Sequence, residues 1–249
     1  MKFRKVYQAV LKYTLIYVVV GIMIFPIYYL IVTAFKSPGT LFTPDIIPVH
    51  PSLHFFREAI SSSPFLQWTM NSLIVAIATC GISLVIALAA AYSLARFQYR
   101  GRDLISRLIL FVYMFPPILL VIPYFILMSK IGLRDTLSGL VVSYTTFSLP
   151  FSVWFLTAYM RSIPRELDEA ALVDGCTRIS ALFRVILPVI VPGVAATLVY
   201  VFLVSWNEFL FAYILIRTQD LRTLPLGVAA FFTSIFIPWG NVIATTVLM

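Results

Sequence analysis

Two cysteines, two histidines and ten acidic residues are all that this chain of 249 residues offers for metal, redox or acid–base chemistry. Cys80 falls inside an apolar run and Cys176 inside a charged loop, too far apart in membrane depth to pair, so no disulfide is expected. His50 and His54 share one proline-rich stretch, and no spacing of His, Cys, Asp and Glu suits a metal ion. No G-x-x-x-x-G-K-[ST] phosphate loop occurs, so the chain is not expected to hydrolyse ATP itself. No nucleophile–base constellation is visible, so it is not read as an enzyme, and no cofactor is expected in it. Charge is scarce as well, at 11% of residues against 61% hydrophobic. That balance excludes a soluble domain of this size and marks an integral membrane protein. A net charge of +8 could suggest nucleic acid, but its distribution along the chain fits membrane orientation instead.

What the chain has in abundance is long apolar runs. Those at about 14–35, 69–95, 108–128, 138–159 and 185–205 approach or exceed the roughly 20 residues that cross a hydrocarbon core about 30 Å thick. None of the five contains Asp, Glu, Lys, Arg or His, which argues against an ion-coupled transporter. The basic start (Lys2, Arg4, Lys5, Lys12) resembles a signal peptide, but the run behind it is long enough to span and no small-residue cleavage site follows. It is read as a signal anchor. Residues 36–67 hold five prolines and read as a loop with a short surface helix at 54–60, either a contact for an external binding protein or a plain connector. Ser83, Ala87, Ala91 and Ala95 form a small-residue row that lets another helix approach closely.

Pro116, Pro117 and Pro123 are expected to kink the third span. Trp206-Asn207-Glu208 interrupts a run that resumes at 209–216, too short to span and read as a half-helix or re-entrant element. Residues 217–240 read as loop. Residues 241–249 open a sixth span that rises only roughly 13.5 Å as helix, so that span is expected to be truncated. The N-terminus and the connections at 96–107 and 159–184 hold twelve Lys and Arg, the other connections six, which puts the first set in the cytoplasm.

The cytoplasmic connection at 160–184 is the longest charged segment. Pro164 suits a first helical turn, Glu166, Asp168 and Glu169 favour a helix N-terminus, Gly175 fits a left-handed cap, and Thr177 can cap a second short helix, 178–184. At 100° per residue Leu167, Ala170 and Ala171 share one face, with Glu169 nearly opposite.

Glu169-Ala170-Ala171, three residues, Gly175, nine residues and Val185-Ile186-Leu187-Pro188 together resemble the EAA loop of permease subunits of ABC importers, with Val185 where that family usually has Ile. Ala95-Arg96-Phe97, Gly101-Arg102, Met114-Phe115-Pro116, Trp206-Asn207-Glu208-Phe209-Leu210 and Thr223-Leu224-Pro225 resemble its carbohydrate branch, the group of the smaller maltose-permease subunit.

The resemblance implies an all-α, six-span type I ABC importer permease fold, one transmembrane domain over 1–249, multi-pass in a prokaryotic inner membrane with a cytoplasmic N-terminus. It implies import of a sugar or sugar derivative by alternating access. The partners would be a second permease subunit, two cytoplasmic ATPase subunits that carry ATP and magnesium, an external solute-binding protein and the lipid bilayer, with no nucleic acid. Leu167, Glu169, Ala170, Ala171, Asp174 and Gly175 are the expected ATPase-coupling residues. Asn71, Tyr113, Ser148, Asn207 and Glu208 are candidates for the translocation path, each with packing or helix capping as the plainer reading. Two rivals stand: an ABC permease for another solute, and a membrane channel or scaffold without an ATPase.

Overall fold

The computed structural model describes residues 2–233 and 235–249. In chain order the helices are α1 (Lys2–Ala34), α2 (His54–Ser61), α3 (Phe65–Arg96), α4 (Arg102–Met114), α5 (Val121–Lys130), α6 (Leu137–Arg161), α7 (Glu166–Val173), α8 (Arg178–Ala181), α9 (Leu187–Trp206), α10 (Leu210–Leu215), α11 (Leu224–Ala230) and α12 (Trp239–Leu248). A π turn, Leu182–Ile186, joins α8 to α9. No strand occurs among the described residues.

Among the described residues four helices are long and apolar enough to cross a membrane: Leu11–Ala34, Phe65–Arg96, Leu137–Arg161 and Arg178–Trp206. The third expected span is not one kinked helix. It divides into α4 and a segment from Pro117 to Lys130, bent by 90°. Phe115 takes an extended backbone (φ −75°, ψ 127°), as a residue before proline prefers, and the prolines at 116 and 117 supply no N–H to continue the ladder. Residues 102–107, expected in a loop, form the first turns of α4. The expected short helix at 178–184 is likewise continuous with the fifth span through the π turn.

The chain divides into two compact units, residues 1–66 with 227–249 and residues 67–226. In the first, α12 lies against α1 and α2, around Leu41, Phe55 and Ala244. Gly240 faces the Phe55 ring so closely that a Cβ there would collide with it. Lys36 is buried, donating to the Thr43 carbonyl at 2.6 Å and lying 5.1 Å from the centre of the Tyr29 ring.

In the second unit, α3, α6 and α9 enclose a core that includes Ala87, Ala91, Leu156, Met160, Ile186 and Ile190. The row Ser83, Ala87, Ala91 and Ala95 is wholly buried, and Ser83 Oγ meets Ser148 Oγ of α6 at 3.0 Å. Residues 217–240 are not simply loop: α11 occupies Leu224–Ala230. Pro225 is tolerated because it falls in the first turn, and the Leu224 N–H, which has no helical partner, donates to Ser72 Oγ on α3 at 2.7 Å.

Asp135, with φ +56°, ties the α5–α6 loop to the segment after α10. Its carboxylate accepts from Thr218 Oγ1 (2.7 Å) and from the backbone N–H groups of Thr218 (3.0 Å) and Arg217 (2.8 Å). The Thr218 hydroxyl foremost, then the backbone N–H groups, hold this carboxyl below the ordinary aspartate range.

Candidate functional site: a capped turn and a cavity between broken helices

Helix α7 ends as its sequence dictates. Gly175 takes φ +84°, its N–H donates to the Leu172 carbonyl at 3.1 Å, and the Cys176 N–H reaches back to the Ala171 carbonyl at 2.9 Å. That pair of hydrogen bonds is the Schellman arrangement, which satisfies carbonyls the helix would leave open. Thr177 then accepts from the Ser180 N–H at 3.2 Å and starts α8. The N-terminal end differs from expectation. Pro164 precedes the helix, Arg165 is the N-cap, and no side chain among the described residues caps it. The first turn carries Glu166, Asp168 and Glu169, as the helix dipole favours.

The inward face of α7 also differs from the helical-wheel reading. Asp168 and Ala171 are buried, whereas Leu167, Glu169, Ala170, Asp174 and Gly175 are exposed. Ala171 therefore belongs to packing within the chain, and the surface offered outward carries Leu167, Ala170 and Val173 beside Glu169 and Asp174. The wheel placed Ala170 and Ala171 together because they are neighbours in sequence. The inward register is set instead by a partner 70-odd residues away, the side chain of Arg96 at the end of α3. Its Nε stands 2.8 Å from Asp168 Oδ2, and the two side chains are 3% and 5% exposed.

The second arrangement is a pair of adjoining cavities where two interrupted helices meet. One, of about 480 Å³, is lined by Tyr113, Phe115, Pro117, Tyr124, Phe147, Pro150 and Tyr200 among others. The next, of about 360 Å³, is lined by Pro117, Tyr144, Phe147, Val204, Glu208 and Phe211 among others. The break after α4 and the break after α9 are far apart in sequence, yet both contribute walls. The rings pack closely: Phe147 stacks on Phe211 with centroids 4.4 Å apart, and Phe151 lies 3.8 Å from Tyr200. Glu208 uses its carboxylate to start α10, accepting from the N–H groups of Phe211 (2.9 Å) and Ala212 (3.2 Å). The buried Tyr124 hydroxyl has no hydrogen-bond partner among the described residues.

Of the five path candidates, the fold brings Tyr113 and Glu208 to these cavities and leaves three elsewhere. Asn71 is buried on α3, where its Nδ2 donates to the carbonyls of Asp220 (2.7 Å) and Arg222 (2.9 Å) and so pins that segment. Ser148 is closed in against Ser83. Asn207 donates back to the Leu203 carbonyl at 2.8 Å and closes α9. Sequence reasoning missed the aromatic walls, Tyr124, Phe147 and Tyr200, because aromatic residues in apolar runs carry no local mark of facing a cavity. It named Arg96 only within Ala95-Arg96-Phe97 and Asp168 only as a first-turn acid, and it missed Tyr92 and the meeting of the three. The signal for the meeting was the i, i+4 spacing of Tyr92 and Arg96 at the end of a helix and a third acid in the first turn of α7. Among the described residues no group of His, Cys, Asp and Glu is arranged to hold a metal ion.

Comparison with known proteins gives concordant findings. The family described as "Binding-protein-dependent transport system inner membrane component" matches residues 83–249. The sulfoquinovosyl glycerol transport system permease protein SmoH of Agrobacterium fabrum is 35% identical over 226 residues, covering 90% of this chain and 79% of that protein. The trehalose/maltose transport system permease protein MalG of Thermococcus litoralis is 34% identical over 231 residues, covering 91% of this chain and 83% of that one. A chain in the crystal structure of a bacterial ABC transporter for import of the acidic polysaccharide alginate superposes with a TM-score of 0.83 at 20% identity, over 97% of this chain and 91% of that one, a likeness of fold.

Proposed function

Because the chain belongs to the family of binding-protein-dependent transport system inner membrane components, we propose that it is the permease subunit of an ATP-driven importer of a sugar or sugar derivative. The observation that carries the reading is α7. It is a short helix fixed by a glycine cap between two spans, exposing Glu169 and Ala170 on the side where Lys and Arg accumulate. Such an element suits docking into a separate ATPase, and no phosphate loop in the chain offers another source of energy. ATP and magnesium belong to those partner subunits. A second permease subunit and an external binding protein complete the assembly. The N-terminus lies in the cytoplasm with the turns at 96–102 and 161–178.

The sugar assignment is supported by the names of relatives such as the trehalose/maltose permease. It also fits an aromatic cavity between broken helices, the usual place for a midplane binding site in transporters. Tyrosine rings present a flat apolar face and a hydroxyl, which matches the alternating CH and OH faces of a pyranose. Transport follows as alternating access: ATPase closure carries α7, and the spans rock about the cavity. The test is to purify the tagged chain together with the products encoded beside it and to measure uptake of radiolabelled trehalose and maltose into vesicles. Stoichiometric ATPase subunits with uptake of either sugar support the reading. A chain that purifies with no ATPase supports the channel or scaffold alternative. ATP-driven uptake of a non-sugar alone moves it to another solute. Orientation is checked with the native Cys176 in a Cys80→Ala background: labelling by an impermeant thiol reagent only after permeabilisation is expected.

A further inference from the structure

The turn that contains α7 is joined by the backbone to α6 and α9, yet its long-range polar side-chain contacts are to α3. Arg96 Nε meets Asp168 Oδ2 at 2.8 Å, and Tyr92 Oη donates to Asp168 Oδ1 at 3.2 Å. Arg96 Nη1 also donates to the Ile163 carbonyl at 3.2 Å, in the segment leading into α7. On the far side of the turn, the Arg178 guanidinium at the start of α8 lies 5.5 Å from the centre of the Phe97 ring, which packs edge-on against Tyr92 at 5.7 Å. Both limbs of the turn are therefore gripped by residues 92–97.

We propose that Tyr92, Arg96 and Asp168 form a clasp that makes the inner end of α3 move with α7 as one body, so that these three act as positioning residues for coupling. The proposal rests on the transport reading above.

The chemistry of the contact argues for a transmission role over simple adhesion. A buried ion pair seldom holds two helices better than apolar groups of equal volume, because desolvation offsets the attraction. What the cluster adds is direction: beside the ion pair, Tyr92 Oη donates to Asp168 Oδ1 and Arg96 Nη1 to the Ile163 carbonyl, and these hydrogen bonds fit in a single register. Apolar side chains at the same positions would keep the helices in contact and let them slide. Tyr92 and Arg96 lie one turn apart on α3, so the two carboxylate oxygens of Asp168 are held by successive turns of the same helix. That geometry resists rotation of α7 about its own axis as well as withdrawal.

The experiment uses the assembled importer, with nitroxide labels at Gln98 and Glu166, both exposed. Distances between them are measured by pulsed spin resonance without nucleotide and with a non-hydrolysable ATP analogue and magnesium. In the wild-type background the distribution is expected to stay narrow and unchanged between the two states. Arg96→Met/Asp168→Leu, chosen to keep packing while removing direction, should widen it about twofold and lower uptake per ATP hydrolysed about tenfold. Asp168→Asn, which keeps shape and the Tyr92 contact, should widen it by less. If both variants assemble with their ATPase subunits and keep the wild-type distribution and uptake-to-hydrolysis ratio, the clasp is overturned. So it is if the wild-type distance itself shifts between the two states. Failure of the wild-type chain to recruit any ATPase subunit would instead overturn the transport reading.

Discussion

Two acids lie at interruptions in the helical run, Asp168 in α7 and Glu208 just before α10, and the fold answers them differently. Asp168 is met by a guanidinium and a tyrosine hydroxyl from α3, 72 and 76 positions away in sequence. Glu208 is met chiefly by backbone N–H groups three and four residues ahead of it, with Tyr144 of α6 beside it in the cavity wall. The first acid fixes how one element sits on another. The second mainly starts its own short helix, and it lines a cavity beside Tyr144. A carboxylate answered chiefly by its own helix start can thus line a cavity, whereas one answered from a distance is committed to holding the scaffold together.

The comparison breaks first at the ion pair. Asp168→Leu or Arg96→Met alone strands a buried charge, and a loss of about 3–5 kcal/mol is expected from thermal unfolding of the purified complex. The double replacement should recover nearly all of it. If each single variant matched the wild type, the pair would not be buried as described. Next comes the cap that ends α7. Gly175 has open space where a Cβ would sit, so strain there is purely a matter of φ +84°. Gly175→Val is expected to cost about 1–2 kcal/mol and to loosen the ATPase subunits, while Gly175→Asn should be far milder. Equal retention of ATPase subunits in Gly175→Val and wild type would remove the cap from the coupling argument.

Glu208→Ala removes both local acceptors at the start of α10, for an expected loss of about 1 kcal/mol. Glu208→Gln, keeping one acceptor oxygen, should restore most stability. Uptake measured on the same two variants separates capping from a part in the path. A capping role alone predicts that uptake follows stability, and uptake lost in Glu208→Gln at near wild-type stability would show a use for the charge.

The smallest effect concerns a third acid, also answered from afar but in the open. The Asp135 carboxyl is held below its ordinary range by Thr218 and the neighbouring N–H groups. A depressed native value means that stability is fully present above the unfolded value of about 3.9 and is lost as pH falls through the folded one. Wild type should therefore lose more stability than Asp135→Asn between about pH 5 and pH 3. Parallel pH curves for the two proteins would rule out a contribution from this staple.

The sequence by itself determined what depends on neighbours along the chain. Apolar runs of about 20 residues must be helices in a membrane, since a helix satisfies its own backbone there. Gly175 and Thr177 marked the turn because a left-handed residue and a hydroxyl N-cap are local requirements. The row from Ser83 to Ala95 was readable as a packing stripe, because small size alone permits close approach. Only the tertiary structure decided that Pro116 and Pro117 make a 90° break, since a proline relaxes a helix without saying how far neighbours will let it bend. It alone showed that 224–230 is helical, where a short stretch containing proline and glycine reads as loop until Ser72 supplies the acceptor its first N–H lacks. And it alone turned Ala171 inward with Asp168, because the rotation of a short helix about its axis is set by whichever distant side chain its charged residue must meet, here Arg96.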